Sequence, residues 1–88
     1  MKKYTFVTVY RGGVYIYQYR SLDLETALYM WAENLNKKYF TPLKKASILD
    51  ELRHSHPSPT PVENMRSVWM TTFLKGKFLI ELYIFETV

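Results

Sequence analysis

Tyr4-Thr5-Phe6-Val7-Thr8-Val9-Tyr10 runs into Arg11-Gly12-Gly13 and returns through Val14-Tyr15-Ile16-Tyr17-Gln18-Tyr19. β-Branched and aromatic residues fill both arms, which is strand composition. Glycine supplies the positive φ that a tight hairpin turn needs without a Cβ clash. With Gly12-Gly13 as a two-residue turn, Tyr10 faces Tyr15, Thr8 faces Tyr17, Phe6 faces Tyr19 and Val9 faces Ile16. Side chains alternate between faces along a strand. One face therefore carries Tyr4, Phe6, Tyr10, Tyr15, Tyr17 and Tyr19. The other carries Thr5, Val7, Val9, Val14, Ile16, Gln18 and Arg20. Neither is plainly polar, whereas an antiparallel hairpin with one wet side usually alternates cleanly.

A second hairpin is expected over 68–87. Lys75-Gly76 reads as its turn, setting Phe73 against Phe78, Thr71 against Ile80 and Trp69 against Leu82. Trp69, Phe73, Phe78, Ile80, Leu82 and Ile84 then share a core face. Met70, Thr72, Lys77, Glu81, Tyr83 and Phe85 share a mixed one.

Two helices separate the hairpins. Asp23 suits a helix cap, with Glu25 at the positive end of the dipole. Leu22 and Ala27 stand where a hydrophobic staple would form. Leu24, Ala27, Leu28, Trp31 and Leu35 fall on one helical stripe, expected to lie on the sheet. Asn34 and Asn36 weaken helicity and end the segment. Thr41-Pro42 opens a second helix running to about Arg53. Its apolar side, Ile48, Leu49 and Leu52, is narrow, so this helix is expected at the periphery. From His54 to Pro61 alternate prolines favour an extended, polyproline-like loop. A short turn over 62–66 is weakly signalled.

The order strand-strand-helix-helix-strand-strand implies an α+β domain over residues 1–88: a four-stranded antiparallel sheet from two hairpins (ββααββ) with two helices packed on one face. A chain of 88 residues is one domain and buries roughly 60–65% of its unfolded surface. The hydrophobic share of 48% argues against disorder. Tyr, with 8 copies against 2 Trp and 5 Phe, tilts the aromatic content toward sheet faces and interfaces. With no cysteine there is neither a disulfide framework nor a thiolate metal site. No apolar run approaches the roughly 18 residues that cross a bilayer. Met1-Lys2-Lys3 passes straight into strand residues, so a soluble, cytoplasmic protein is expected. The net charge of +4 is a mild excess for a nucleic-acid binder.

Few constellations point to chemistry. His54-Ser55-His56 offers two imidazoles on extended backbone but no third ligand, and solvated loop histidines explain it better than a metal site. Neither Gly-x-Ser-x-Gly nor Gly-x-Gly-x-x-Gly occurs. No catalytic residue and no cofactor is assigned, and an enzyme is not expected. Lys37, Lys38, Lys44 and Lys45 could form a basic patch at the helix junction, an alternative nucleic-acid surface. Lys75-Gly76-Lys77-Phe78-Leu79-Ile80 faintly resembles the central strand motif of RNA-recognition domains, but Lys77 stands where that motif has an aromatic. The strand beginning Lys3-Tyr4-Thr5 and the helix onset Leu24-Glu25-Thr26-Ala27-Leu28 together resemble the hairpin-plus-helix opening of HicB-like antitoxins. The proline- and glycine-bearing second-strand segment of those domains is missing here. No function is carried over from that resemblance; a nucleic-acid-binding or antitoxin-like regulatory protein is the alternative reading.

The surviving expectation concerns the hairpin with two greasy faces. The aliphatic face of Val7, Val9 and Ile16 is expected inward, continuous with Trp69, Phe73 and Ile80. The face of Tyr4, Phe6, Tyr10, Tyr15, Tyr17 and Tyr19 is then outward. It would be available to a partner protein, or to a second copy in a homodimer packed sheet against sheet.

Overall fold

The computed structural model describes residues 1–35, 42–54, 59–62, 67–75 and 78–87. In chain order the elements are β1 (Lys2–Tyr10), β2 (Gly13–Ser21), α1 (Leu24–Glu33), α2 (Pro42–His54), β3 (Thr60–Pro61), β4 (Val68–Lys75) and β5 (Phe78–Thr87). The fold is α+β. Among the described residues, five antiparallel strands form one sheet in the order β2-β1-β5-β4-β3, giving ββααβββ rather than the expected ββααββ. The added strand is β3. Its two residues pair Thr60 with Met70 and Pro61 with Trp69, and the Val62 amide donates to the Val68 carbonyl at 2.9 Å. A proline can sit there because an edge strand leaves one side of its backbone without a ladder. The prolines read as a loop signal were also compatible with an edge.

Each hairpin has the expected faces and a register two residues away from the expected one. Tyr10 pairs with Gly13, Thr8 with Tyr15, Phe6 with Tyr17 and Tyr4 with Tyr19. The turn residues are therefore Arg11 and Gly12, both at positive φ (51° and 79°), as a tight turn between twisted strands requires. Gly13 opens β2 instead. A Cβ on it would meet the Tyr15 hydroxyl at 2.6 Å, so the missing side chain makes room for that ring. In the second hairpin Phe73 pairs with Ile80, Thr71 with Leu82 and Trp69 with Ile84, again two residues from expectation. A two-residue slip leaves every side chain on its face; only an odd slip would turn them over.

Helix α1 begins as expected. The Asp23 carboxylate accepts the Thr26 amide at 2.7 Å, which holds its pKa below the usual carboxylate value. Asn34 closes the C-terminus, its amide donating to Met30 O and Trp31 O. The staple does not form: Leu22 is 75% exposed, while Ser21 beside it is buried. Ala27, Leu28, Trp31 and Ala32 are buried along the stripe, with Leu35 beyond the helix end. On α2, Ile48 and Leu52 are buried and Leu49 is half-buried. Tyr29 of α1 donates its hydroxyl to the Leu52 carbonyl at 3.0 Å, tying the helices together. Thr41, the expected cap of α2, and most of the 62–66 turn lie outside the described residues.

Both helices contribute to one core with a single face of the sheet. Trp31 stacks on Phe6 (centroids 6.2 Å apart, planes 7° apart) and on Phe73 (5.9 Å, 23°). Ile80, Leu82 and Ile84 complete the floor. The Trp31 indole N–H donates to Thr8 Oγ1 at 3.1 Å, so the one polar group this ring buries is satisfied.

Candidate interaction surface

The face of β1 that meets the helices is set by β1 against β5. Phe6 pairs with Ile84, Thr8 with Leu82 and Tyr10 with Ile80. The even residues of β1 therefore share a face with the expected core residues of the second hairpin. This reverses the expected orientation. Tyr4, Phe6 and Tyr10 are buried in the core, and Tyr15, Tyr17 and Tyr19 are half-buried against it. The physical reason is area. Aromatic rings bury roughly 150–250 Å² each, more than valine can, and a layer of helix is needed to cover them. Phe6 meets Tyr19 edge-on at 5.6 Å, and Tyr4 tilts against Trp69 at 6.5 Å. Burial pushes the hydroxyl pKa of Tyr4 up, helped by the Glu86 carboxylate, and burial pushes Tyr19 up as well.

The outward face is consequently the aliphatic one. It is arranged in cross-strand rows. Ile16, Val7, Tyr83 and Met70 make one row; Gln18, Thr5, Phe85 and Val68 the next; Val14, Val9, Glu81 and Thr72 the third. Leu74 and Leu79 pair beyond them. Val14 is 60% exposed, Ile16 63% and Leu74 67%. Such cross-strand neighbours shield one another without any covering layer. Polar groups interrupt the face sparingly. Gln18 donates to Thr5 Oγ1 at 3.1 Å. Tyr83 donates to Glu81 Oε2 at 3.2 Å, and that carboxylate raises the Tyr83 pKa. Lys3 and Arg20 stand at one end of the sheet.

The other candidates do not come together. His54 Nδ1 lies 2.9 Å from Asp50 Oδ1 and 3.0 Å from the Asp50 carbonyl, an exposed local contact at the end of α2. His56 lies outside the described residues, and no group of three His, Cys, Asp or Glu side chains is assembled among them. Of the four lysines, Lys37 and Lys38 fall outside the described residues, as does the Lys44 side chain. Lys45 is half-buried on α2. No helix among the described residues is long and apolar enough to cross a membrane.

Comparison with family models, with curated proteins and with solved structures found no match to the chain.

The surface is thus built from the fold alone. Leu74 and Leu79 had no expected role, and Met70, Tyr83 and Phe85 were expected only on a mixed face. One local signal was present. Thr8 is the only small polar residue among the even positions of β1, and a tryptophan that must bury its N–H needs such an acceptor. That pairing favours the even face of β1 as the inward one.

Proposed function

We propose that this chain is a non-enzymatic interaction module that associates with a second copy through the outward face of its sheet. The carrying observation is an apolar surface continuous over four strands, with Ile16, Val7, Tyr83 and Met70 as its central row and no helix over it among the described residues. Patches of this kind beyond a few hundred Å² usually mark an interface. Four strands about 4.8 Å apart and five outward positions about 6.8 Å apart give the whole outward face, its polar positions included, roughly 500 Å² per copy. Two copies would then hide about 1,000 Å², around the lower limit of a specific interface.

Charge favours a second copy over an acidic or basic partner. Glu81 lies on one side of the central row and Lys3 on the other. A two-fold axis through that row, at right angles to the strands, moves Glu81 of each copy toward Lys3 of the other. The sheets would stack at about 10 Å, as in a sandwich.

Light scattering over a concentration series tests the reading. The expected mass is at least twice the 10.6 kDa of one chain. Tyr83→Lys, on an exposed strand position, is expected to lower that mass while the circular dichroism spectrum stays unchanged. A wild-type monomer at high micromolar concentration would overturn the proposal. Salt-sensitive capture of RNA by such a monomer would replace it with the nucleic-acid alternative.

A further inference from the structure

Among the described residues β2 is the outermost strand on its side of the sheet, and its open edge runs the length of Gly13–Ser21. Natural edge strands are usually blunted by proline, bulges, several charges or short length. This one pairs with β1 without interruption, carries no proline and has Arg20 as its single charge. The hairpin determines which backbone groups remain outward. Tyr10 and Gly13 close a two-residue turn and so form a hydrogen-bonded pair, and such pairs alternate along an antiparallel ladder. Tyr15, Tyr17 and Tyr19 therefore direct their amides and carbonyls to β1. Val14, Ile16, Gln18 and Arg20 direct theirs to the open edge.

We infer that this edge pairs with β2 of a second copy, antiparallel about a two-fold axis at Tyr17. The inference is independent of the face contact proposed above. The register is singled out by the backbone: it sets Val14 against Arg20 and Ile16 against Gln18, in both directions, so every outward group finds a partner. Registers centred on Ile16 or Gln18 leave part of the edge unpaired. The side chains agree with it. On the helix side Tyr17 meets its own copy and Tyr15 meets Tyr19, in the pairs whose side chains approach most closely. These are the three tyrosines that one chain covers only by half. A hollow of about 530 Å³, lined by Lys3, Gln18, Tyr19, Arg20 and Met30, lies at this edge beside Tyr19. The lone Arg20 faces Val14, so no like charges oppose. An extended segment of some other protein would need its own matching aromatic alternation; a second copy has it by construction.

Amide hydrogen exchange on the full chain tests this directly. At millimolar concentration the amides of Val14, Ile16, Gln18 and Arg20 are expected to exchange at least about tenfold more slowly than in dilute protein, a difference of 1.4 kcal/mol. The Tyr15, Tyr17 and Tyr19 amides, already bonded to β1, serve as the reference. Gln18→Pro removes an outward amide and no backbone bond to β1, losing there only the exposed side-chain contact to Thr5, so it is expected to abolish the slowing with β1 and β2 still paired. In the Tyr83→Lys background, edge pairing alone should leave a dimer. Fast exchange at the four even positions at all concentrations, or a monomeric Tyr83→Lys protein, would overturn the inference. Loss of the face contact alone would instead leave these amides protected.

Discussion

The two faces of β1 solve the same problem in different ways. Its even residues, Tyr4, Phe6, Thr8 and Tyr10, face the helix side and are buried; its odd residues, Lys3, Thr5, Val7 and Val9, have only neighbouring strands for cover among the described residues and are half-buried. Flat rings gain most when another layer stacks on them, as Trp31 does on Phe6. β-Branched residues already shade each other across the pleat, so they tolerate an open side. An all-apolar strand therefore need not sit between two layers. The residue type on each side tells which side carries the helices.

The largest test removes the layer. Trp31→Ala is expected to destabilise the fold by about 3–5 kcal/mol, because a stacked, fully buried ring leaves a cavity between Phe6 and Phe73. Val7→Ala on the other face should change the stability of the monomer by about 1 kcal/mol or less. Urea unfolding below the association concentration measures both. Equal losses would mean that the two faces are equally packed, and the comparison would fail.

Thr8→Val is next in size. The shapes match, so what is lost is the acceptor for the Trp31 indole. Leaving that N–H buried and unpaired is expected to cost about 1–3 kcal/mol. Combining Thr8→Val with Trp31→Phe should cost less than the sum of the two changes, since the second substitution removes the stranded donor. Strict additivity in the double-mutant cycle would show that the hydrogen bond contributes nothing.

That hydrogen bond also marks the limit of what could be read from the residues. Period-two alternation placed the right side chains together on each face, and Asp23 with the Leu24–Trp31 stripe located α1. The pairings within both hairpins were read two residues out. An even slip changes no face, so alternation is blind to it, and the decision fell to turn geometry at Arg11. Which face pointed inward was harder. It depends on the parity of β1 against β5, strands from opposite ends of the chain, and the one local hint was Thr8, the acceptor that the Trp31 indole needs. Of the aromatic surface expected to dock a partner, Tyr4, Phe6 and Tyr10 are in the core and Tyr15, Tyr17 and Tyr19 half-buried against it, while the Val7, Val9 and Ile16 face expected inward is open. β3 stayed hidden because proline argues against a strand everywhere except at an edge.

The smallest effect separates the faces by electrostatics. Tyr19 on the helix side and Tyr83 on the open side both titrate above the ordinary value of 10.0, for different reasons. For Tyr19 burial leads; for Tyr83 the neighbouring Glu81 carboxylate leads. A raised tyrosine pKa favours folding at neutral pH, and the contribution is lost as pH rises from 10.0 through the folded value. Salt at about 1 M shortens the screening length to about 3 Å, comparable to the 3.2 Å between the Tyr83 and Glu81 oxygens. Residue-resolved titration of the ring carbons by NMR should therefore show Tyr83 moving down toward 10.0 in high salt or in Glu81→Gln, while Tyr19 stays where it is. If Tyr19 followed the salt as Tyr83 does, its shift would belong to charge rather than to the covering helix. The two sides of the sheet would then differ less in their exposure to water than their packing implies.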